Sequence, residues 1–224
     1  MKRTILLIQA AILFLALTDA YSQSGWNSQV SGTVNDLTGV CFTDANNGTA
    51  VGTYGTIIRT TNGGVNWTLQ SSGIVNILFG VSFTDANNGT AVGQVGRILR
   101  TTNGGTNWIL QYSGTTNNLF NVSFTDANNG TAVGSSGYPP PYNVTIIRTT
   151  NGGANWISQS GGIISDLNDV SFTDTNNGTA VGYTGKIIRT TNGGTTWTSQ
   201  TSGTMWTLTG VSFTDANTDR KSVV

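Results

Sequence analysis

A unit of 41 residues recurs along this chain, and that repeat limits the fold more than any other feature. Trp26, Trp67, Trp108, Trp156 and Trp197 are spaced 41, 41, 48 and 41 residues apart. Between them the text nearly repeats itself. One copy reads Leu78-Phe79-Gly80-Val81-Ser82-Phe83-Thr84-Asp85-Ala86-Asn87-Asn88-Gly89-Thr90-Ala91-Val92-Gly93. It continues through Gly96-Arg97-Ile98-Leu99-Arg100 to Thr101-Thr102-Asn103-Gly104-Gly105-Thr106-Asn107-Trp108. The longer interval contains seven extra residues within Ser135 to Asn143, around Tyr138-Pro139-Pro140-Pro141-Tyr142.

Each copy parses into four short strands. Val81 to Thr84 alternates apolar and polar, then breaks at Asp85-Ala86-Asn87-Asn88-Gly89. Thr90 to Val92, Ile98 to Thr101 and Trp108 to Gln111 follow, separated by Gly-rich turns. Asn-Gly is a strong hairpin signal because both turn positions tolerate positive φ. Thr, Gly and Asn supply 92 of the 224 residues, a mixture poor for helices. That excludes a helical bundle or coiled coil. Four strands per 41 residues is the blade length of a β-propeller. The expected fold is therefore all-β, with complete four-stranded antiparallel blades at 37–71, 78–112, 119–160 and 167–201. Val40, Val81, Val122, Val170 and Val211 are expected on the innermost strands. Trp26 to Val30 reads as a lone fourth strand and Leu208 to Asn217 as a lone first strand. The chain thus reads as truncated, giving an open arc or a ring with a defective fifth blade holding Trp26 and Val211.

Thr60-Thr61-Asn62-Gly63-Gly64-Val65-Asn66-Trp67 resembles the Asp-box, or bacterial neuraminidase (BNR), repeat. The motif recurs at Thr101 to Trp108, Thr149 to Trp156 and Thr190 to Trp197, with Asn62, Asn103, Asn151 and Asn192 in place of the usual Asp. The longer pattern, Val-Gly-x-x-Gly-x-Ile-x-Arg-Thr-Thr-Asn-Gly-Gly-x-x-Trp, is similar to the photosystem II stability/assembly factor family of propellers. The resemblance implies that each box forms the turn between the third and fourth strands of a blade. It also implies a scaffold for protein binding or assembly. Within such a turn the Thr hydroxyl and Asn side chain can bond backbone N–H groups, while the Trp buries its ring between sheets.

The N-terminus carries an address. Met1-Lys2-Arg3 is followed by an apolar run, Ile5 to Leu17, and by small residues at Thr18-Asp19-Ala20. This is the three-part pattern of a secretory signal over residues 1–20, leaving 21–224 as the propeller domain. The apolar run is too short to span a bilayer, so no transmembrane segment is expected in the mature chain. Cleavage fits after Ala20 or after Ser22. The protein is therefore expected to be exported. Lys+Arg 10 balance Asp+Glu 10, which argues against a nucleic-acid partner. Cys41, the single cysteine, stands where other repeats have Ser82, Ser123, Ser171 and Ser212, and reads as a small strand residue.

Chemistry is scarce. The chain has no His and no Glu, so the acids are all Asp. A sialidase needs a Glu beside its Tyr nucleophile, and the pattern fails there. Asp44, Asp85, Asp126, Asp174 and Asp215 occupy one turn in successive repeats and read as Asx-turn residues ahead of ion ligands. No cofactor or metal is expected. Arg59, Arg100, Arg148 and Arg189 form the only repeated cation. They are expected to bond turn carbonyls or the nearby Asp of the same blade; the sharper reading is a ring facing an anionic partner.

Positions that differ between repeats are more informative. The strand 2–3 turns and the 4–1 loops share one face and diverge, at Tyr54, Gln94-Val95, the insertion and Tyr183-Thr184, and at Ile74–Ile77, Tyr112–Asn117, Ile163–Asp166 and Met205-Trp206. Function on repeat folds concentrates where loops are free to change. Tyr54, Tyr112, Tyr138, Tyr142, Tyr183 and Trp206 are the candidate contacts for a protein or glycan partner. The function read from sequence is an exported, non-enzymatic propeller scaffold. The alternatives are a glycan-binding or glycosidase module and a structural segment of a larger cell-surface protein.

Overall fold

A computed structural model describes residues 28–136, 144–163, 165–215 and 219–220. Blade 1 comprises β1 (Leu37–Phe42), β2 (Gly48–Gly52), β3 (Ile57–Thr60) and β4 (Thr68–Gln70). Blade 2 comprises β5 (Leu78–Phe83), β6 (Gly89–Gly93), β7 (Ile98–Thr101) and β8 (Ile109–Gln111). Blade 3 comprises β9 (Asn118–Phe124), β10 (Gly130–Ser135), β11 (Val144–Thr149) and β12 (Ile157–Ser158), and blade 4 comprises β13 (Leu167–Phe172), β14 (Gly178–Gly182), β15 (Ile187–Thr190) and β16 (Thr198–Gln200). In every blade sequential strands pair antiparallel in simple order. The first strands β1, β5, β9 and β13 lie side by side, which makes them the innermost strands, as the recurring Val predicts.

Local chemistry builds each turn. In the 1–2 turn, Asp85 Oδ1 accepts from the N–H groups of Asn87 at 2.7 Å and Asn88 at 2.8 Å, and Asn88 Nδ2 donates to Oδ2 at 2.8 Å. This is the expected Asx turn, repeated at Asp44 and Asp174. The 3–4 turn is the box. Thr101 Oγ1 accepts from Gly105 N at 2.8 Å and Asn103 N at 3.3 Å and donates to Asn103 Oδ1, which also accepts from Asn107 N. Gly105 holds φ at 84°, and a Cβ there would strike the Gln70 side chain of the preceding blade.

The core lies between blades. Val51 and Ile57 on one face of blade 1 pack against Leu78, Val81, Phe83, Ala91 and Leu99 of blade 2. Val92 and Ile98 cover the matching face of blade 3, and Val133 and Ile146 that of blade 4. The second strand of each blade is buried on both sides, so it carries only Gly, Thr, Ala and Val (with Ser135 at the end of β10). Polar bonds lace the same joints. Phe124 N donates to Ser82 Oγ at 3.1 Å, Phe172 N to Ser123 Oγ at 3.1 Å and Phe213 N to Ser171 Oγ at 3.2 Å. Cys41 Sγ takes this acceptor role for Phe83 N at 3.4 Å, and burial raises its thiol pKa. Gln70 donates to Gly104 O and accepts from Trp108 Nε1, tying the rim of blade 1 to the next box.

Three expectations need correction. The rings of Trp67, Trp108, Trp156 and Trp197 are half-buried at the blade rims, each set edge-on to a Phe of its own blade, as Trp108 is to Phe83 at 5.9 Å; the deep core is built mainly of β-branched residues and Leu. Residues 28–30 lie in no hydrogen-bonded strand, although Gln29 fills the fourth-strand role by bonding Gly63 O and Trp67 Nε1. The last repeat does not stop at a single strand: β17 (Ser212–Phe213) pairs antiparallel with β18 (Asp219–Arg220). The signal-like residues 1–20, Trp26, Tyr138 and Tyr142 lie outside the described residues. The ladder between β10 and β11 extends to Ser135 and Val144.

Candidate functional site

The blade topology gives the molecule two unlike faces. One carries the 1–2 turns and the boxes, built the same way in every blade. Here the repeated arginines are consumed by structure. Arg100 Nη2 donates to Ala127 O of the next blade at 2.8 Å, Nη1 donates to Thr90 Oγ1 at 3.0 Å, and the guanidinium carbon lies 5.1 Å over the Phe124 ring. Arg59 reaches Ala86 O and Phe83, and Arg148 reaches Thr175 O and Phe172, in the same way. Arg189 lies beside Phe213 and Thr179. Burial lowers the pKa of Arg100, and the charge of Asp85 opposes that shift. The guanidinium therefore pins the following blade's 1–2 turn. Its carbonyl partner belongs to the next blade, not to an Asp of its own. A cavity of 600 Å³ opens on this face between blades 3 and 4, lined by Arg148, Asn151, Asn155, Gln159, Asn176 and Asn192. At that joint Gln159 Oε1 and Trp197 Nε1 find no hydrogen-bond partner, unlike their counterparts in earlier blades.

The other face carries the 2–3 turns and the 4–1 loops. In blades 1, 2 and 4 the 2–3 turn is a tight hairpin with positive φ at both central residues: Tyr54 and Gly55, Val95 and Gly96, Thr184 and Gly185. Glycine is required at the second position, because a Cβ on Gly96 would sit 2.0 Å from Thr115 O of the adjoining loop. At the first position Tyr, Val and Thr hold the left-handed conformation at a cost of roughly 1–3 kcal/mol, most severe for branched Val95. In these three blades the turn packs on the loop that leaves the blade. Val95 thus stands near the loop entered by Tyr112, and Tyr183-Thr184 near the loop of Met205-Trp206.

Tyr54, Tyr112, Tyr183 and Trp206 are all exposed on this face, Tyr112 at 87% and Trp206 at 80%. Tyr54 and Tyr112 belong to blades 1 and 2 and Tyr183 and Trp206 to blade 4, and the four form no ring contact with one another among the described residues. They make a dispersed apolar rim, with Val75 and Met205 also exposed.

Sequence reasoning missed the inner part of this face. A bulge near the start of each first strand turns Thr38, Phe79, Phe120 and Asn168 out of the ladder. Phe79 and Phe120 meet edge-to-face at 5.6 Å. Beside them Asn121 Nδ2 donates to Asp169, whose Oδ1 also accepts from Val170 N and whose Oδ2 accepts from Val211 N at 2.7 Å. Burial raises the Asp169 pKa, while these donors oppose the shift. The signal was available: this is the one innermost-strand stretch where the repeats differ in chemistry. Among the described residues no group of His, Cys, Asp or Glu could hold a metal ion, and no helix is long and apolar enough to cross a membrane.

Four stacked four-stranded sheets with a box in each complete the observation that decides the architecture. The chain is a β-propeller of Asp-box repeats. Residues 18–110 match the family model described as Photosynthesis system II assembly factor YCF48. No curated protein sequence matches the chain. The solved structure of YCF48 bound to D1 peptide is similar over 86% of this chain and 61% of its own, at 20% identity and a TM-score of 0.66. YCF48 from Cyanidioschyzon merolae is similar over 86% of this chain and 69% of its own, at 16% identity and a TM-score of 0.64. The GH74 enzyme of Niastella koreensis covers 72% of this chain with 28% of its own, at 15% identity and a TM-score of 0.59. This chain therefore spans 61% of the first of these proteins, and the likeness at such identities is one of fold.

Proposed function

We propose that this protein is an exported, non-enzymatic propeller that binds an extended protein segment across its variable face. One observation carries the reading: Tyr54, Tyr112, Tyr183 and Trp206 all stand exposed on the face whose loops diverge, while the opposite face repeats the same Asx turn and box from blade to blade. Tyr and Trp offer large contact area at small entropic cost. Backbone strain held at Tyr54, Val95 and Thr184 supports the same face, since strained residues cluster where function demands a fixed shape. A protein of this fold, YCF48, has been solved with a D1 peptide bound, which makes a peptide a reasonable class of partner here. A glycoside-cleaving reading draws on the GH74 likeness but finds less support, because Asp169 already engages both of its oxygens with N–H donors.

Selection of a random peptide library on the immobilised protein tests the reading. Enriched peptides should lose binding to a Tyr54→Ser, Tyr112→Ser, Trp206→Ser triple variant. Equal binding to both proteins, or no enrichment at all, sinks the proposal. Export predicts that the mature N-terminus is Tyr21 or Gln23, read directly by N-terminal sequencing of the secreted product.

A further inference from the structure

Between blades 3 and 4 the box face opens into the 600 Å³ cavity, and we infer that this is a binding site for a neutral oligosaccharide. Both walls belong to complete blades. One comes from the box and fourth strand of blade 3, through Asn151, Asn155 and Ile157; the other comes from the 1–2 turn and box of blade 4, through Thr175, Asn176 and Asn192. The joint is closed less completely than its neighbours. β12 meets β11 through two residue pairs, whereas β4, β8 and β16 each meet their partner through three. Trp108 and Trp156 donate to a Gln of the preceding blade, but Trp197 Nε1 has no partner.

The lining is rich in polar groups that the fold does not use. Asn155 and Asn176 serve the fold through their backbone N–H groups, which donate to Asn151 Oδ1 at 3.0 Å and to Asp174 Oδ1 at 2.7 Å. Both residues are exposed, and their side-chain amides make no hydrogen bond among the described residues. Asn151 spends Oδ1 on the box, accepting from Thr149 Oγ1, and leaves its Nδ2 donors unspent. Thr175 adds a hydroxyl where the same turn has Ala45, Ala86 and Ala127 in the other three blades. Its carbonyl accepts from Arg148, while the hydroxyl bonds nothing among the described residues.

The chemistry of the lining selects the ligand. Arg148 is its only charged side chain, and that charge is occupied. Nη1 donates to Thr131 Oγ1 at 3.2 Å, Nη2 donates to Thr175 O at 2.8 Å, and the guanidinium carbon lies 5.5 Å over the Phe172 ring. A charged ligand would leave water for a cavity that offers no free opposite charge. A ligand dense in hydroxyls fits, because each hydroxyl both donates and accepts, as each unspent amide does. Ile157, 69% exposed, supplies an apolar patch for the C–H face of a pyranose ring. The volume lies within the range of about 300–1,000 Å³ usual for small-ligand sites, enough for a few sugar rings. No carboxylate lines the cavity, so the site holds a sugar without cleaving it.

An array of neutral and acidic oligosaccharides, probed with the labelled full chain, tests this, and calorimetry on the retained glycans gives dissociation constants. Neutral oligosaccharides should be retained and acidic ones should not. Thr175→Ala restores the residue of the sister blades, so the turn should fold unchanged; binding should weaken by about twofold to tenfold, the worth of one neutral hydrogen bond. Asn155→Ala combined with Asn176→Ala should weaken it by about tenfold or more. Since neither amide supports the fold, the double variant should keep the wild-type circular dichroism spectrum and Tm. Val75→Ser, on the variable face, should leave glycan binding unchanged. An array that retains no neutral glycan overturns the inference. So does tighter binding of acidic glycans, or glycan binding that the double variant leaves intact. A neutral Gly-Ser peptide that displaces the glycan at lower concentration would mark a peptide groove and overturns it as well. None of these outcomes depends on whether the variable face binds a peptide.

Discussion

Replacing Thr101 with valine keeps the shape of the side chain and removes one hydroxyl from the centre of a box. That oxygen accepts from Gly105 N at 2.8 Å and from Asn103 N at 3.3 Å, and it donates to Asn103 Oδ1 at 3.0 Å. Thr101 is 1% exposed, so water cannot replace the lost acceptor at Gly105. A buried donor left unpaired costs about 1–3 kcal/mol, and the weaker bonds to Asn103 add a fraction more. The expected loss is about 2–3 kcal/mol, since the methyl recovers a little apolar burial. For a domain of this size that corresponds to a fall in Tm of roughly 5–10 °C. Thermal unfolding followed by calorimetry measures it. Thr101→Ser provides the control, because it keeps the hydroxyl and loses only a methyl. The repeat supplies an internal replicate: Thr149 makes the same bonds to Gly153 and Asn151, so Thr149→Val should cost a similar amount. If Thr101→Val and Thr101→Ser unfold together, the box is not held by its hydroxyl and the reasoning fails.

Val95→Asn should raise stability by about 1 kcal/mol, because Asn tolerates the left-handed backbone that branched Val resists; a lower Tm in the variant would refute the strain assigned to this turn. Trp108→Ala should cost about 2–3 kcal/mol, below the value for a core aromatic, because its ring is half-buried; denaturant midpoints decide, and an unchanged midpoint would deny the ring any part in the joint. The pH dependence has a definite sign. Bonds from the Asn88 side chain and from the N–H groups of Asn87 and Asn88 hold Asp85 below its usual 3.8, and the equivalent groups act on Asp44 and Asp174. A depressed carboxylate stabilises the fold above its unfolded pKa, so stability should fall as pH drops below about 4. Asp169, raised by burial, acts the opposite way, and Asp169→Asn should steepen the acid loss; a flat Tm between pH 5 and pH 3 in the Asp169→Asn variant would contradict the turn assignments, and a slope equal to that of the wild type would contradict the one at Asp169.

The blades were legible in the text because their determinants are local. An Asp binds N–H groups two and three residues ahead, and a box Thr binds one four residues ahead. Strand, turn and period follow from such short-range chemistry, and the two faces follow from the order of the strands. Joints between blades were not legible, because their partners lie far apart in the chain. Arg100 was expected to bond a turn carbonyl or a nearby Asp, and it does bond a turn carbonyl, but that turn lies 27 residues on in the next blade. Cys41 was read only as a small strand residue and proves to accept from Phe83 N, 42 residues away, as Ser82 does from Phe124 N. Phe79 and Phe120 gave no sign of meeting, since a bulge rather than alternation turns them toward each other. Val95 gave no sign of positive φ, because the hairpin twist and the neighbouring loop impose it against the residue's own preference. Sequence alone settled what one blade is, because a blade is held by bonds within a few residues. Only tertiary structure decided which faces are covered and which side chains meet, because each blade's surface is completed by the next: Val81 is buried and Val40 exposed, although both stand at the same place in the same repeat.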